Sequence, residues 1–195
     1  PGVRLGYLPN YSGVDLRILA SGASQNEADQ KAEALAAIIE RASEKYIYGH
    51  NDDTLEGVIG NLLKKGRATL AVAESCTGGQ LGMVITSVPG SSEYFLGGIQ
   101  AYNNDVKRSL LNVPDEILKK HGAVSEECAK AMASGVRRIL GADFALSVTG
   151  IAGPDGGTAD KPVGTTWIGL ATPERVFARS FRFGVERQNN RSRAV

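Results

Sequence analysis

Long apolar runs, histidine and cysteine are scarce in this sequence of 195 residues. No apolar stretch approaches the roughly 20 residues that a membrane-spanning helix needs, and the first residues do not follow the basic-then-apolar order of a secretion signal. The two cysteines, Cys76 and Cys128, form no CxxC pair, which disfavours a zinc site or a disulfide framework. These absences predict a soluble, cytoplasmic protein with free thiols that does not bind a membrane.

An excess of charge of one sign is also missing, because 22 Lys and Arg residues balance 21 Asp and Glu residues. Without a basic field over the whole chain, binding to nucleic acid is not expected. The length suits one domain of ordinary size, alone or with a small appendage. The chain begins at Pro1 and ends on RQNNRSRAV, so we expect it to be part of a longer protein.

The first 50 residues have the pattern of a small α+β unit. VDLRILASG, residues 14–22, alternates apolar and polar side chains as a half-buried strand does. Residues 26–46 repeat apolar side chains at helical spacing, and YIYG at 46–49 suits a short returning strand. The sequence therefore predicts a strand–helix–strand unit, with a domain boundary near His50 to Asp53.

Helical stripes and apolar strand segments alternate beyond that boundary. Asp52 and Asp53 are candidate N-caps of the first helix, and Ser125 caps a later helix that Gly141 ends. The predicted strands are 68–74, 97–104, 142–150, 164–172 and 175–183. We expect a three-layer α/β/α domain with a mainly parallel sheet, in which the last hairpin is an antiparallel edge.

Three polar, glycine-rich segments each follow a predicted core strand. They are ESCTGG at 74–79, YNNDVK at 102–107 and TGIAGPDGG at 149–157. Ligands of such sheets bind at the C-terminal ends of the strands, so the three segments should converge on one cleft. ESCTGG could hold a phosphate or an oxyanion on backbone N–H groups, although it matches neither nucleotide-binding fingerprint. A purely structural strand-to-helix turn is an equally good interpretation, with Glu74 either a buried carboxylate or simply the last strand residue.

Ser75 is a candidate nucleophile in this turn, and it would need a proton acceptor. Neither histidine is a good one, because His50 lies at the predicted boundary and His121 follows a Lys-Lys pair near a helix end. Lys107 is the remaining candidate base, since partial burial would lower its pKa, although a lone lysine there is more often a solvated surface residue. Cys76 is an alternative nucleophile, but a small buried side chain is the favoured interpretation.

Two further segments could contact a ligand. Thr149 ends a predicted strand, and the loop after it suits a ribose, a phosphate or an amide, or is a plain turn. Arg187 and Arg191 are four residues apart and would share a helix face, either as a phosphate or carboxylate clamp or as surface charges.

Five segments together resemble the C-terminal domain of the CinA family, the nicotinamide-nucleotide amidase (NMN deamidase) family. They are LAVAESCTGG, GGIQAYNNDVK, HGAVSEE, SVTGIAGPDGG and KPVGTTWIG. The resemblance assigns residues 53–195 to the amidase domain, and we expect that domain to be truncated at its C-terminal end, because family members continue with another helix. Residues 1–50 resemble the small KH-like linking segment of full-length CinA proteins, in which a further N-terminal domain precedes it.

The resemblance implies hydrolysis of nicotinamide mononucleotide to nicotinate mononucleotide and ammonia, by a serine–lysine arrangement without metal or cofactor. It makes Ser75 the nucleophile, Lys107 its general base, and Tyr102 a residue that orients this pair or the nicotinamide. It also implies a cytoplasmic homodimer that binds nicotinamide mononucleotide as its substrate.

The same resemblance implies the remaining contacts. The implied oxyanion donors are the backbone N–H groups of Thr77, Gly78 and Gly79. Thr149 would contact the substrate or the lysine. Arg187 matches the arginine of the family's terminal Gly-x-Arg pattern, but Val185-Glu186 departs from the usual Gly-Asp-Arg, so Arg191 is the alternative.

Two alternatives stay open. One is a non-catalytic nucleotide-binding or competence-associated adaptor with the same fold, against which the intact Ser75, Tyr102 and Lys107 argue. The other is an amidase that acts on a different pyridine nucleotide or amide.

Overall fold

The structure is a computed structural model that describes residues 2–10 and 13–195. The chain divides into two compact units, Pro1–Val58 and Ile59–Val195. Among the described residues, no helix combines the length and the apolar composition that crossing a membrane requires.

The first unit is a β-hairpin with one long helix. Strands β1 (Val3–Pro9) and β2 (Val14–Ala20) pair antiparallel, and helix α1 (Gln25–Ser43) follows. The predicted first strand and helix are confirmed as β2 and α1. The returning strand at YIYG is wrong, because β2 pairs with β1, whereas residues 44–46 form a 3₁₀ turn and 47–50 have no regular structure.

Helix α2 (Leu55–Gly66) leads from the first unit into the second. The elements that follow are β3 (Leu70–Glu74), α3 (Gln80–Thr86), β4 (Phe95–Gln100), α4 (Asn104–Ser109), α5 (Asp115–Lys120), α6 (Glu126–Leu140), β5 (Phe144–Gly150), β6 (Thr165–Ala171), β7 (Val176–Arg182) and α7 (Arg187–Arg193). All five predicted strands of this unit are therefore present, each of them shorter than expected.

The five strands form one sheet in the order β4-β3-β5-β6-β7. Strand β3 pairs parallel with β4 and β5, and β6 pairs antiparallel with β5 and β7. The parallel core and the antiparallel last hairpin are confirmed. The β5–β6 pair is antiparallel as well, because residues 151–164 form a loop without the crossover helix that a parallel return needs.

Strand β3 is the buried centre of the sheet, and all five of its residues are buried. On one face Ala71 and Ala73 pack with α6, which contributes Met132 and Val136. On the other face Leu70 and Val72 belong to a cluster with residues of α3. Helices thus pack on both faces, and the chain leaves the centre of the sheet directly into the ESCTGG turn.

Two helix starts test the capping predictions. The hydroxyl of Ser125 accepts a hydrogen bond from the N–H of Cys128 at the start of α6, as expected. At α2 the expected Asp52 and Asp53 caps are wrong. Thr54 lies directly before the helix, and its hydroxyl accepts from the N–H of Gly57, whereas Asp53 lies one residue earlier and accepts from the N–H of His50.

Candidate active site

The loops after β3, β4 and β5 meet at one pocket of about 280 Å³. Because these three strands run parallel, their C-terminal ends lie at the same edge of the sheet. The expected residues that line the pocket are Ser75, Tyr102, Lys107, Thr149 and Arg187. The structure therefore brings five of the nine expected site residues into one cavity.

Ser75 and Lys107 are in hydrogen-bond contact inside this pocket. Ser75 is the first residue after β3, and its N–H donates to the carbonyl of Val148 in β5 at 2.9 Å. Lys107 lies on α4 and is only 1% exposed. Its Nζ lies 3.0 Å from the Ser75 Oγ. A nucleophilic hydroxyl and an amine thus meet although 32 residues separate them in the chain.

The surroundings of Lys107 favour a neutral amine. Its Nζ also donates to the carbonyls of Ala101 and Tyr102, at 2.7 and 3.2 Å. Burial lowers the pKa of Lys107, and no carboxylate in the described part of the chain forms an ion pair with it. A neutral amine has two N–H groups, which match the two carbonyls, and one lone pair, which remains for the hydroxyl proton of Ser75.

The two thiols lie near the Lys107 amine, but both are held in the protonated form. Burial is the main cause that raises the pKa of Cys76, and likewise that of Cys128, to about 11. Cys76 lines the pocket beside Ser75. Because a thiol with such a pKa is not ionised near neutral pH, Cys76 is a poor nucleophile here despite its position.

The turn after Ser75 uses its backbone donors differently from the expectation. Gly78 and Gly79 adopt positive φ angles of 62° and 95°. The N–H of Gly79 donates to the Glu74 carboxylate at 3.0 Å, and the N–H of Gly78 donates to the carbonyl of Ser75 at 3.2 Å. Both N–H groups therefore already have an acceptor within the described chain, and an oxyanion role for them stays a prediction. No described residue accepts a hydrogen bond from the N–H of Thr77.

The other pocket residues hold one another in place. The Thr149 hydroxyl donates to the carbonyl of Ala123 at 2.7 Å. Arg187 donates through Nη1 to the carbonyl of Gly153 at 2.8 Å and through Nη2 to the hydroxyl oxygen of Tyr102 at 3.2 Å. The Tyr102 side chain is 64% exposed, so the Arg187–Tyr102 pair stands at the open side of the pocket.

Helix α7 ties two pocket loops together from behind. Arg191 donates to the carbonyl of Thr77 at 2.8 Å and does not line the pocket. Asn190 is 2% exposed, and its Nδ2 donates to the carbonyl of Ala152 at 2.9 Å. With Arg187, these side chains share one helix face and hold the loops after β3 and β5.

Some residues of the site were not expected from the sequence. Asn190 gave no signal, because an asparagine within RQNNR is typical of a solvated helix. Glu74 gave a partial signal, as an acidic residue that ends an apolar strand, and the structure settles its alternatives in favour of a buried carboxylate. Asn104 and Asp155 also line the pocket. Among the described residues, His, Cys, Asp and Glu side chains form no group of three that could hold a metal ion.

Family sequence models match the chain in two places. The model of the CinA C-terminal domain matches residues 52–195, and that of the damage-inducible protein CinA KH domain matches residues 1–49. A CinA-like protein from Cytophaga hutchinsonii is 45% identical over 190 residues, which is 97% of this chain and 46% of that relative. A CinA-like protein from Thermotoga maritima is 44% identical over 183 residues, 94% of this chain and 44% of that relative. The chain thus spans somewhat less than half the length of these relatives.

Solved structures share the fold of most of this chain. A competence/damage inducible protein from Agrobacterium tumefaciens aligns with a TM-score of 0.69 and 38% identity, over 71% of this chain and 85% of that chain. A competence-damaged protein superfamily member from Escherichia coli aligns with a TM-score of 0.70 and 27% identity, over 80% of this chain and 91% of that chain.

Proposed function

This chain belongs to the CinA family, and we propose that it hydrolyses the carboxamide of nicotinamide mononucleotide to nicotinate mononucleotide and ammonia. The observation that carries the proposal is the buried contact of 3.0 Å between Lys107 Nζ and Ser75 Oγ in the lining of one pocket. A serine hydroxyl beside a neutral amine is an activated nucleophile, and amide hydrolysis needs one because amides are weak electrophiles.

The first half of the proposed reaction forms an ester. Ser75 Oγ attacks the carboxamide carbon while its proton passes to the lone pair of Lys107 Nζ. The C–N bond of the tetrahedral intermediate then breaks, and the nitrogen leaves as ammonia with the proton that Lys107 returns. The nicotinoyl group remains bound to Ser75 Oγ as an ester.

Water completes the proposed cycle. Lys107, neutral again, takes a proton from a water molecule that attacks the ester carbon. It returns this proton to Ser75 Oγ as the carboxylic acid leaves. The same amine therefore acts as base and acid in both halves, which requires a pKa near the working pH rather than that of a solvated lysine.

The negative oxygen of each tetrahedral intermediate needs hydrogen-bond donors. The N–H groups of Cys76 and Thr77 fit this role, because they directly follow Ser75 and neither donates to another described residue, although the Cys76 N–H contacts its own thiol. One well-placed donor of this kind contributes about 3 kcal/mol to stabilising the transition state. This assignment replaces Gly78 and Gly79 in the donor set.

The nucleotide part of the substrate suits the open side of the pocket. The guanidinium of Arg187 offers a positive charge for the phosphate, and the exposed ring of Tyr102 offers an aromatic surface for the pyridine ring. Thr149, whose hydroxyl donates to the carbonyl of Ala123, adds a fixed polar group to the pocket lining.

The proposal is tested by ammonia release from nicotinamide mononucleotide, with Ser75→Ala as the variant and Ser87→Ala, an exposed serine that follows α3, as the control. We expect Ser75→Ala to lower kcat by at least about 10³-fold with nucleotide binding retained, and Ser87→Ala to leave it unchanged. If the chain is an adaptor without catalytic activity, the unmodified chain will bind the nucleotide but release no ammonia from it. An amidase for another substrate would release ammonia faster from nicotinamide riboside or NAD than from the mononucleotide.

A further inference from the structure

The carboxylate of Glu74 is buried beneath the turn that carries Ser75. Glu74 is the last residue of β3 and is 2% exposed. Its Oε2 accepts from the N–H groups of Gly79 and Leu81, each at 3.0 Å, and its Oε1 accepts from the N–H of Gly82 at 2.8 Å. Three backbone donors therefore surround a carboxylate that has no role in the proposed chemistry.

These hydrogen bonds join the two ends of the Ser75 turn. The turn leaves the sheet at Glu74 and enters α3 at Gln80, after two glycines with positive φ. These two glycines have no side chains whose contacts could fix the shape of the turn. Because the Glu74 side chain spans from the strand to the first turn of α3, it closes the segment between them into a ring.

The backbone of Glu74 also connects to the amine. Its carbonyl accepts from the N–H of Ala101 at 2.7 Å, and the carbonyl of Ala101 accepts from Lys107 Nζ at 2.7 Å. Glu74 is therefore covalently bonded to Ser75 and lies two hydrogen bonds from Lys107. A shift of Glu74 would move the hydroxyl and the amine relative to each other.

We infer that Glu74 is a positioning residue that holds Ser75 Oγ within hydrogen-bond reach of Lys107 Nζ. The inference rests on the proposed function for the reaction in which this reach matters, but it makes a separate claim about the reactivity of Ser75. In addition, the backbone N–H groups at the start of α3 donate to the Glu74 carboxylate, so they are not available to a bound anion.

The test compares Glu74→Gln with Asp143→Asn. Asp143 supports the opposite end of β3, where its carboxylate accepts from the N–H and the hydroxyl of Thr69. Each variant replaces one supporting carboxylate by an amide of the same shape. In Glu74→Gln, either orientation of the amide turns an NH₂ group toward a backbone N–H, so the turn must shift.

Two rates are measured for each variant: labelling of Ser75 by a fluorophosphonate probe, located by peptide mass spectrometry, and turnover of nicotinamide mononucleotide. Because misplacement of a reacting group by about 1 Å lowers rates by about 10²-fold, we expect Glu74→Gln to lower kcat and the labelling rate by about 10- to 100-fold, with KM unchanged. We expect Asp143→Asn to leave both rates unchanged. Thermal unfolding reports whether each variant is folded.

Glu74→Asp covers the case in which Glu74→Gln does not fold. It keeps the charge but withdraws the carboxylate by one methylene group, and we expect a smaller loss of the same kind. Wild-type rates in either folded Glu74 variant, or an equal loss in Asp143→Asn, would overturn the inference.

The inference and the proposed function fail in different ways. If the unmodified chain labels at Ser75 but releases no ammonia, and Glu74→Gln slows labelling, the inference stands and the proposed function falls. If the unmodified chain turns over the nucleotide and Glu74→Gln has the same labelling and turnover rates, the proposed function stands and the inference falls. If Ser75 is neither labelled nor required for turnover, both are overturned.

Discussion

The two ends of β3 are each held by a carboxylate, but only one end carries a candidate reaction. At its start, Asp143 accepts two hydrogen bonds from Thr69, each of 2.8 Å. Arg137 lies close to Asp143 and donates to its carbonyl. At its end, Glu74 accepts three backbone hydrogen bonds. The neighbouring Lys107 amine is buried, and no described carboxylate forms an ion pair with it.

The two ends differ in whether a charged group has a partner that stabilises its charged form. At the Thr69 end, the hydrogen bonds from Thr69 favour the charged form of Asp143, which stabilises the fold. The Lys107 amine at the Ser75 end has no such partner, so burial acts against its charged form. A group whose pKa is shifted by burial in a pocket is typical of a catalytic site. Changes at the two ends of β3 should therefore affect different properties.

The largest expected effect is that of Lys107→Met, which removes the amine and keeps an unbranched side chain of similar volume. We expect kcat to fall by about 10²- to 10⁴-fold, because Ser75 loses its proton acceptor. The measurement is steady-state ammonia release, with circular dichroism to confirm folding. Lys120→Met, an exposed lysine on α5, is the matched control and should keep full activity. Equal kcat values for both variants would contradict the assignment of the base.

A smaller effect is expected for Asn190→Asp. The substitution places an oxygen against the carbonyls of Ala152 and Gly184, which Nδ2 now contacts at 2.9 and 3.1 Å. We expect the free energy of unfolding to fall by about 1–3 kcal/mol. We also expect kcat/KM to fall by about tenfold, because the loop after β5 shifts. Urea unfolding and steady-state kinetics measure the two quantities. Loss of stability with unchanged kcat/KM would show that α7 does not position the pocket.

The smallest effect is expected at the other end of β3. Hydrogen bonds from Thr69 lower the pKa of Asp143 below its usual value. A carboxyl group with a lowered folded-state pKa stabilises the fold above its unfolded-state pKa, and this contribution is lost as the pH falls through the folded-state value. Asp143→Asn should therefore have a lower melting midpoint than the unmodified chain at pH 7, and the gap should narrow below about pH 4. A gap that is independent of pH would argue against the charge of Asp143 as its cause.

Much of the second unit could be predicted from its pattern. Alternating helices and apolar strands predicted a largely parallel sheet. Parallel strands place Ser75, Thr149 at the end of β5, and the start of α4 with Lys107 at one edge. The mixed direction of the sheet was only partly predicted, since β5 is followed by a loop instead of a helix. The convergence of the site is thus a consequence of topology.

What the sequence could not predict depends on which groups meet in three dimensions. Glycines after Ser75 suggested free N–H donors, but the Glu74 carboxylate accepts from one of them, and the competition between a ligand and a side chain leaves no mark in the sequence. Strand β1 was also missed. It forms by pairing with β2, and such pairing between two segments cannot be seen from one segment alone. The burial of Lys107 could only be assumed.

The protonation of Lys107 tests the central claim most directly. The amine can be followed by NMR in protein labelled with ¹³C at the lysine Cε positions, with the Lys107 signal assigned by its absence in Lys107→Met. We predict that Lys107 titrates below the usual value of about 10.4, apart from the other lysines, and that kcat/KM rises with pH through the same pKa. If Lys107 titrates together with the solvated lysines, or if kcat/KM does not follow its titration, the neutral base and the Ser75 mechanism are both contradicted.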